Sequence, residues 1–143
     1  MMSERDLGFL EGMIEGEGYL GLNKSKTRRL VYKRGFQWKP VLSVANDDVS
    51  LLVKLKEICK GGFLARKGGR RREFRLTSGK IREILPQLRL IGKKAQAELL
   101  LEALELLEAN RHKKNSEKRD NDPRLEEIYE EIKRLNSSSK SPP

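Results

Sequence analysis

Residues 3–18 read SERDLGFLEGMIEGEG, a helix pattern crossed by a row of glycines. Ser3, followed three residues later by Asp6, predicts a helix N-terminus with reciprocal capping. Leu7, Leu10 and Ile14 recur at helical spacing, and Phe9 and Met13 widen the apolar surface. Gly8, Gly12 and Gly16 fall at i, i+4 and i+8, on one stripe of that helix. Each glycine costs about 1 kcal/mol relative to alanine. Three on one stripe predict a surface that another helix approaches closely; a poor, turn-rich helix is the competing reading. The segment closes with Glu15-Gly16-Glu17-Gly18, two carboxylates beside glycines that let the backbone turn sharply. Carboxylates at a helix C-terminus face the negative pole of its dipole, and a divalent cation would relieve that.

Outward from this helix the charge changes sign. Residues 1–18 hold one Lys/Arg against five Asp/Glu, and residues 19–80 hold seventeen against four. Residues 81–143 are nearly balanced, so the chain's net charge of +10 sits in its central block. That block predicts a polyanionic partner, because a merely solvated basic protein would not divide its charge this way. Hydrophobic and charged residues each make up 36% of the 143, which suits one domain with a real core and a large wet surface. Cys59 is the one cysteine, so no intrachain disulfide forms and a reducing intracellular setting is expected, cytoplasmic in a prokaryote and otherwise organellar or nuclear. Its place near the end of an apolar helix makes it a core filler rather than a nucleophile. No apolar run approaches a membrane span of roughly 20 residues, no secretory signal is visible, and no membrane partner is expected.

From Tyr19 the pattern becomes period two, with Leu20 and Leu22 on one face and Tyr19, Asn23 and Ser25 on the other. Residues 24–29 read as a basic connection to a second strand over 30–45, with Pro40 at an edge or bulge. In its second half Phe36, Trp38, Leu42 and Val44 alternate with Gln37, Lys39, Val41 and Ser43. Asn46 or Asp47 is expected to cap a helix carrying Leu51, Leu52, Leu55 and Ile58, which Gly61-Gly62 stops. A hairpin follows around Gly68-Gly69, its return strand alternating Phe74 and Leu76 with Arg71, Glu73 and Arg75. A helix from Ser78 is divided by Pro86, and a leucine-rich helix spans 93–109. A core over 1–110, a linker over 111–122, a helix over 123–136 and a disordered tail over 137–143 complete the expected organisation; that helix could brace the fold or bind flanking DNA, and its nearly cancelling charges favour bracing.

Residues 10–18 resemble the nine-residue signature of the LAGLIDADG homing endonucleases. Leu10, Gly12, Ile14 and Gly18 match it outright, Glu15 and Glu17 take its two aspartate positions, and Met13 and Gly16 are mild replacements. The resemblance extends over about residues 4–110, because the element order read above agrees with the αββαββα core of that family. It implies an α+β fold with a saddle-shaped antiparallel sheet, plus extra C-terminal helices. A single signature implies a homodimer, with two copies packed through Gly8, Gly12 and Gly16 of the first helix.

The implied activity is a metal-dependent double-strand break at a long, nearly palindromic DNA site by an intron-encoded enzyme. Glu17 is the implied metal ligand, with the Gly16 carbonyl beside it, Mg2+ the expected ion and Mn2+ or Ca2+ able to replace it. Glu15 is expected to be structural. Asn46 would organise water and Lys93 would stabilise the transition state, with Lys94 as the neighbouring alternative and plain helix capping as the competing reading of Asn46. An inactive relative acting as a DNA-binding regulator or RNA maturase is the alternative function.

The exposed sheet face is the expected DNA-binding surface, since a two-stranded ribbon fits the major groove. Asn23, Gln37, Arg71 and Arg75 are of the types that read base edges, whereas Arg28, Arg29, Lys33, Arg34, Lys67, Arg70 and Arg72 lie nearer turns, where phosphate contact is expected. Tyr19, Ser25, Tyr32, Lys39, Ser43, Arg66 and Glu73 complete that set. Aromatics are only 6% of the chain, which makes double-stranded DNA a better partner than RNA. His112 is the lone histidine, expected to be solvated, and no His-Cys or Ser-His arrangement points to a zinc nuclease or a triad hydrolase.

Overall fold

The structure, a computed structural model, describes residues 2–26, 36–66, 71–110 and 123–139. Its elements are helix α1 (Glu4–Glu17), strands β1 (Gly18–Lys26) and β2 (Phe36–Asn46), helix α2 (Val49–Cys59), strands β3 (Phe63–Arg66) and β4 (Arg72–Arg75), and helix α3 (Ser78–Ile84). A short 3-10 turn at Leu85–Gln87 follows, then α4 (Lys94–Asn110) and α5 (Pro123–Ser139). The strands form one open sheet in the order β1-β2-β4-β3, with β4 antiparallel to both β2 and β3. This is the expected α+β order. The chain divides into two compact units, Met1–Leu20 with Val41–Lys94 and Gly21–Pro40 with Ala95–Pro143.

In the first unit α1 begins as its sequence predicts, with the Ser3 hydroxyl accepting from the Asp6 N–H at 3.1 Å. Leu10 and Ile14 are fully buried, as are Leu52 and Leu55 of α2 and Phe74 of β4. The register aligns Leu64, Phe74 and Val44 in one apolar row across β3, β4 and β2. Gly18 is required for a different reason than turning freely. Its backbone is extended (φ −85), but a Cβ there would lie 2.6 Å from the Ile14 carbonyl oxygen, so only glycine leaves α1 this tightly. Cys59 is buried, and burial pushes its thiol up to about 11, which removes it as a nucleophile.

Several local expectations are corrected. Asp48, rather than Asn46 or Asp47, caps α2 by accepting from the Ser50 N–H, because Asn46 is drawn into a contact described below. The left-handed residue ending α2 is Lys60 (φ 54), not a glycine. Gly62 (φ 89) is instead needed where the Phe74 ring passes, 2.6 Å from a would-be Cβ. Residues 24–26 extend β1 rather than forming a connection, and α5 continues to Ser139, three residues into the stretch expected to be disordered. The Gly68-Gly69 turn, the linker with His112, and the rest of the tail lie outside the described residues.

The second unit has its own core. Leu125, Ile128 and Ile132 of α5 are buried, together with Leu100 and Leu104 of α4. The Trp38 and Tyr129 rings meet at 5.5 Å between centroids, and the Lys24 ammonium lies 5.3 Å from the first and 5.0 Å from the second. That ammonium also pairs with Glu126 at 2.8 Å, and Arg124 grips Glu102 of α4. The last helix therefore braces this unit. Ile128→Ala is expected to lower its stability by about 2–5 kcal/mol, read by urea unfolding through the fluorescence of Trp38; an unchanged midpoint would contradict the bracing role.

Candidate active site and nucleic-acid interface

The acids of α1 separate into two sets. Glu11 accepts from the Arg89 N–H, and Glu15 accepts from the N–H groups of Ile91 (2.6 Å), Gly92 (3.0 Å) and Lys93 (3.0 Å). Burial works against the charged Glu15 carboxyl, but those three donors and the Lys93 charge outweigh it and hold its pKa below the ordinary value. Glu15 is a structural clamp on the segment before α4. Glu15→Gln should lower the melting stability by about 1–2 kcal/mol, the scale of a half-exposed hydrogen bond to a charged group. A melt identical to that of the unsubstituted chain would contradict this.

Lys93 is no solvated lysine. Its ammonium donates to the Ile14 carbonyl at 2.7 Å and the Glu15 carbonyl at 2.8 Å, capping the negative end of α1. Burial lowers its pKa, and the nearby Glu15 charge partly opposes that shift. The neighbouring Lys94 is exposed at the first residue of α4.

Glu17, the last residue of α1, is exposed. Its Oε2 accepts from the Asn46 Nδ2 at 2.5 Å, while Asn46 Oδ1 accepts from the Asp48 N–H at 2.7 Å. The second bond fixes which end of the Asn46 amide faces Glu17. Asn46 thus reaches from the end of β2 to the end of α1, and its local turn displaces the helix cap to Asp48. Glu17 Oε1 is not engaged by Asn46. Carboxylate and carbonyl oxygens at the end of α1 are hard donors of the type that suits Mg2+ or Ca2+. Among the described residues no three His, Cys, Asp or Glu side chains converge to hold a metal.

The glycine stripe is open. Gly8, Gly12 and Gly16 are exposed, and a Cβ on any of them would meet nothing within 4 Å. No helix among the described residues is long and apolar enough to cross a membrane.

The expected DNA-facing residues divide as follows. Tyr19, Lys39, Arg66, Arg71 and Arg75 are exposed, and Asn23, Gln37 and Arg72 are half-buried. Ser43 and Glu73, expected on the open face, are 3% and 4% exposed. Strict alternation places them outward, but Glu73 lies on the interior strand β4, folded against Arg75. Phe63, which alternation alone did not single out, is 46% exposed and pairs with Arg75 in the sheet. Arg28, Arg29, Tyr32, Lys33, Arg34, Lys67 and Arg70 lie outside the described residues, as does the side chain of Ser25.

Against solved structures, the chain superposes on the homing endonuclease I-TnaI with a TM-score of 0.71, over 96% of this chain and 99% of that one, at 20% identity. I-CvuI, crystallised on DNA with magnesium, gives 0.71 over 98% and 89% at 16% identity. I-SmaMI, bound to uncleaved DNA with calcium, gives 0.73 at 20% identity over 92% of this chain, which spans about half its length (48%). This chain has the LAGLIDADG homing-endonuclease fold. No protein-family model matches it, and no curated protein matches its sequence. In the homing-endonuclease fold found here, residues 10–17 of the signature-like stretch lie on α1, which ends at Glu17, and β1 begins at Gly18.

Proposed function

We propose that this chain is a site-specific, intron-encoded DNA endonuclease that works inside the cell as a homodimer and makes a metal-dependent double-strand break at a long, near-palindromic site. The observation that carries the proposal is Glu17, exposed at the end of α1 and oriented by Asn46. The open glycine stripe on the same helix supports pairing of two copies, which would bring two Glu17 carboxylates together. A basic central block and exposed arginines on the sheet support duplex DNA as the partner.

In this reading Glu17 and the Gly16 carbonyl would hold a divalent cation, Mg2+ in the cell with Mn2+ or Ca2+ able to occupy the place. When bound, it supplies Lewis-acid stabilisation of the charge building on the scissile phosphate. Asn46 fixes the Glu17 carboxylate and orients water at its edge. Lys93 spends two of its three ammonium donors on α1, so its charge is held still at the end of that helix. A fixed cation at that place stabilises developing negative charge without reorganising during the reaction.

The test against a maturase is a competition, and cutting in magnesium separates the endonuclease from a DNA-binding regulator. The full chain in calcium is offered duplex DNA spanning the intron-free form of its host gene, together with the folded intron RNA. Retention of the duplex is expected; preferential retention of the intron RNA would overturn the endonuclease reading.

A further inference from the structure

The sheet face holds a buried carboxylate where a polyanion is proposed to bind. Glu73 and Arg75 sit two residues apart on β4, so they share one face. The register sets Glu73 between Ala45 and Ala65, and Arg75 between Ser43 and Phe63. Glu73 accepts from the Arg75 Nε, with the Glu73 side chain 5% exposed and the Arg75 side chain 44% exposed. Buried at this level, Glu73 has no surface with which to contact DNA itself.

The bond leaves the guanidinium's outer edge, Nη1 and Nη2, as a planar pair of donors. Two parallel N–H groups in that fork match the O6 and N7 acceptors of guanine in the major groove. β4 is an interior strand, and Arg75 is its last residue, flanked by β2 and β3 at the end of the hairpin away from residues 67–71. Arg71 provides the contrast. Its partner Asp47 is 3.5 Å away and both side chains are largely exposed (57% and 76%), so nothing buried fixes its fork.

We propose that Glu73 is a positioning residue for specificity: it holds the Arg75 fork so that its outer edge reads one guanine in each half-site. This rests on the DNA-reading function proposed above. An ion pair with one half-exposed partner adds little stability, whereas holding a geometry is a role that accounts for the buried carboxylate. Arg71 consequently reads with a looser preference than Arg75.

The full chain, in calcium, selects from a duplex library randomised over the half-site. The unsubstituted chain is expected to select guanine sharply at one position per half-site, and Arg75→Ala to lose it. Glu73→Ala should lower the preference at that same position by about tenfold, with the other positions unchanged. Glu73→Gln keeps volume and an acceptor, so it should give an intermediate loss and remains usable if Glu73→Ala does not fold. Glu73 variants that retain the full preference, or that weaken every sequence evenly, overturn the positioning role alone. An unsubstituted chain that selects no duplex sequence overturns the DNA-reading function and this assignment with it.

Discussion

Glu17→Gln is expected to lower magnesium-dependent cleavage by about a hundredfold to a thousandfold, with DNA affinity nearly unchanged. Glutamine keeps the length of the side chain and an oxygen that can accept from Asn46 Nδ2, so the end of α1 stays in place. What disappears is the negative charge, on which a hard divalent cation depends. The other acids of α1 cannot take over. Glu11 and Glu15 are committed to backbone donors between Arg89 and Lys93, and releasing them would unfasten that segment. Steady-state cutting and a binding titration in calcium separate the two effects. Cleavage equal to that of the unsubstituted chain would sink the role given to Glu17.

The second large effect is expected at Gly12. In a single chain a side chain there has open space, and replacing a helical glycine removes a cost of about 1 kcal/mol. Gly12→Leu should therefore leave one copy as stable as before, or slightly more so. In the proposed dimer the same leucine stands between two helices that approach by their glycines. Its presence should weaken self-association by at least about thirtyfold, the effect of a residue at the centre of an interface. Double-strand cutting should fall with it at equal chain concentration. Sedimentation and thermal melting on the same sample read both signs. A dimer as tight as the original would show that the copies meet elsewhere.

Much of the fold was legible because local rules and tertiary packing agree along α1. The Ser3 cap, the Leu10 and Ile14 spacing and the stop at Gly18 each appear in the structure as the sequence implies. The sheet was less legible. Period-two alternation assigns Ser43 and Glu73 to the open face, but it cannot see that an arginine two residues on will fold over a neighbouring acid. The partners of Glu15 are 76 to 78 residues distant, beyond any local pattern. A signal did exist in Glu11 and Glu15 at i, i+4, two acids on one helix face with a glycine-containing segment ahead of a later helix. By sequence alone Asn46 suits both capping and function. It sits two residues before the cap and uses its amide to reach the other way. The extension of α5 through Ser137 to Ser139 was hidden by residues of modest helix propensity, which an already packed helix can carry.

The most direct measurement is a cleavage assay on duplex DNA spanning the intron-free form of the host gene, with magnesium and then with a chelator. Cutting of both strands at one position, abolished by the chelator and restored by added magnesium, is the predicted result. Tight binding without cutting at any magnesium concentration would contradict the enzymatic role and leave Glu17 as part of the structure alone.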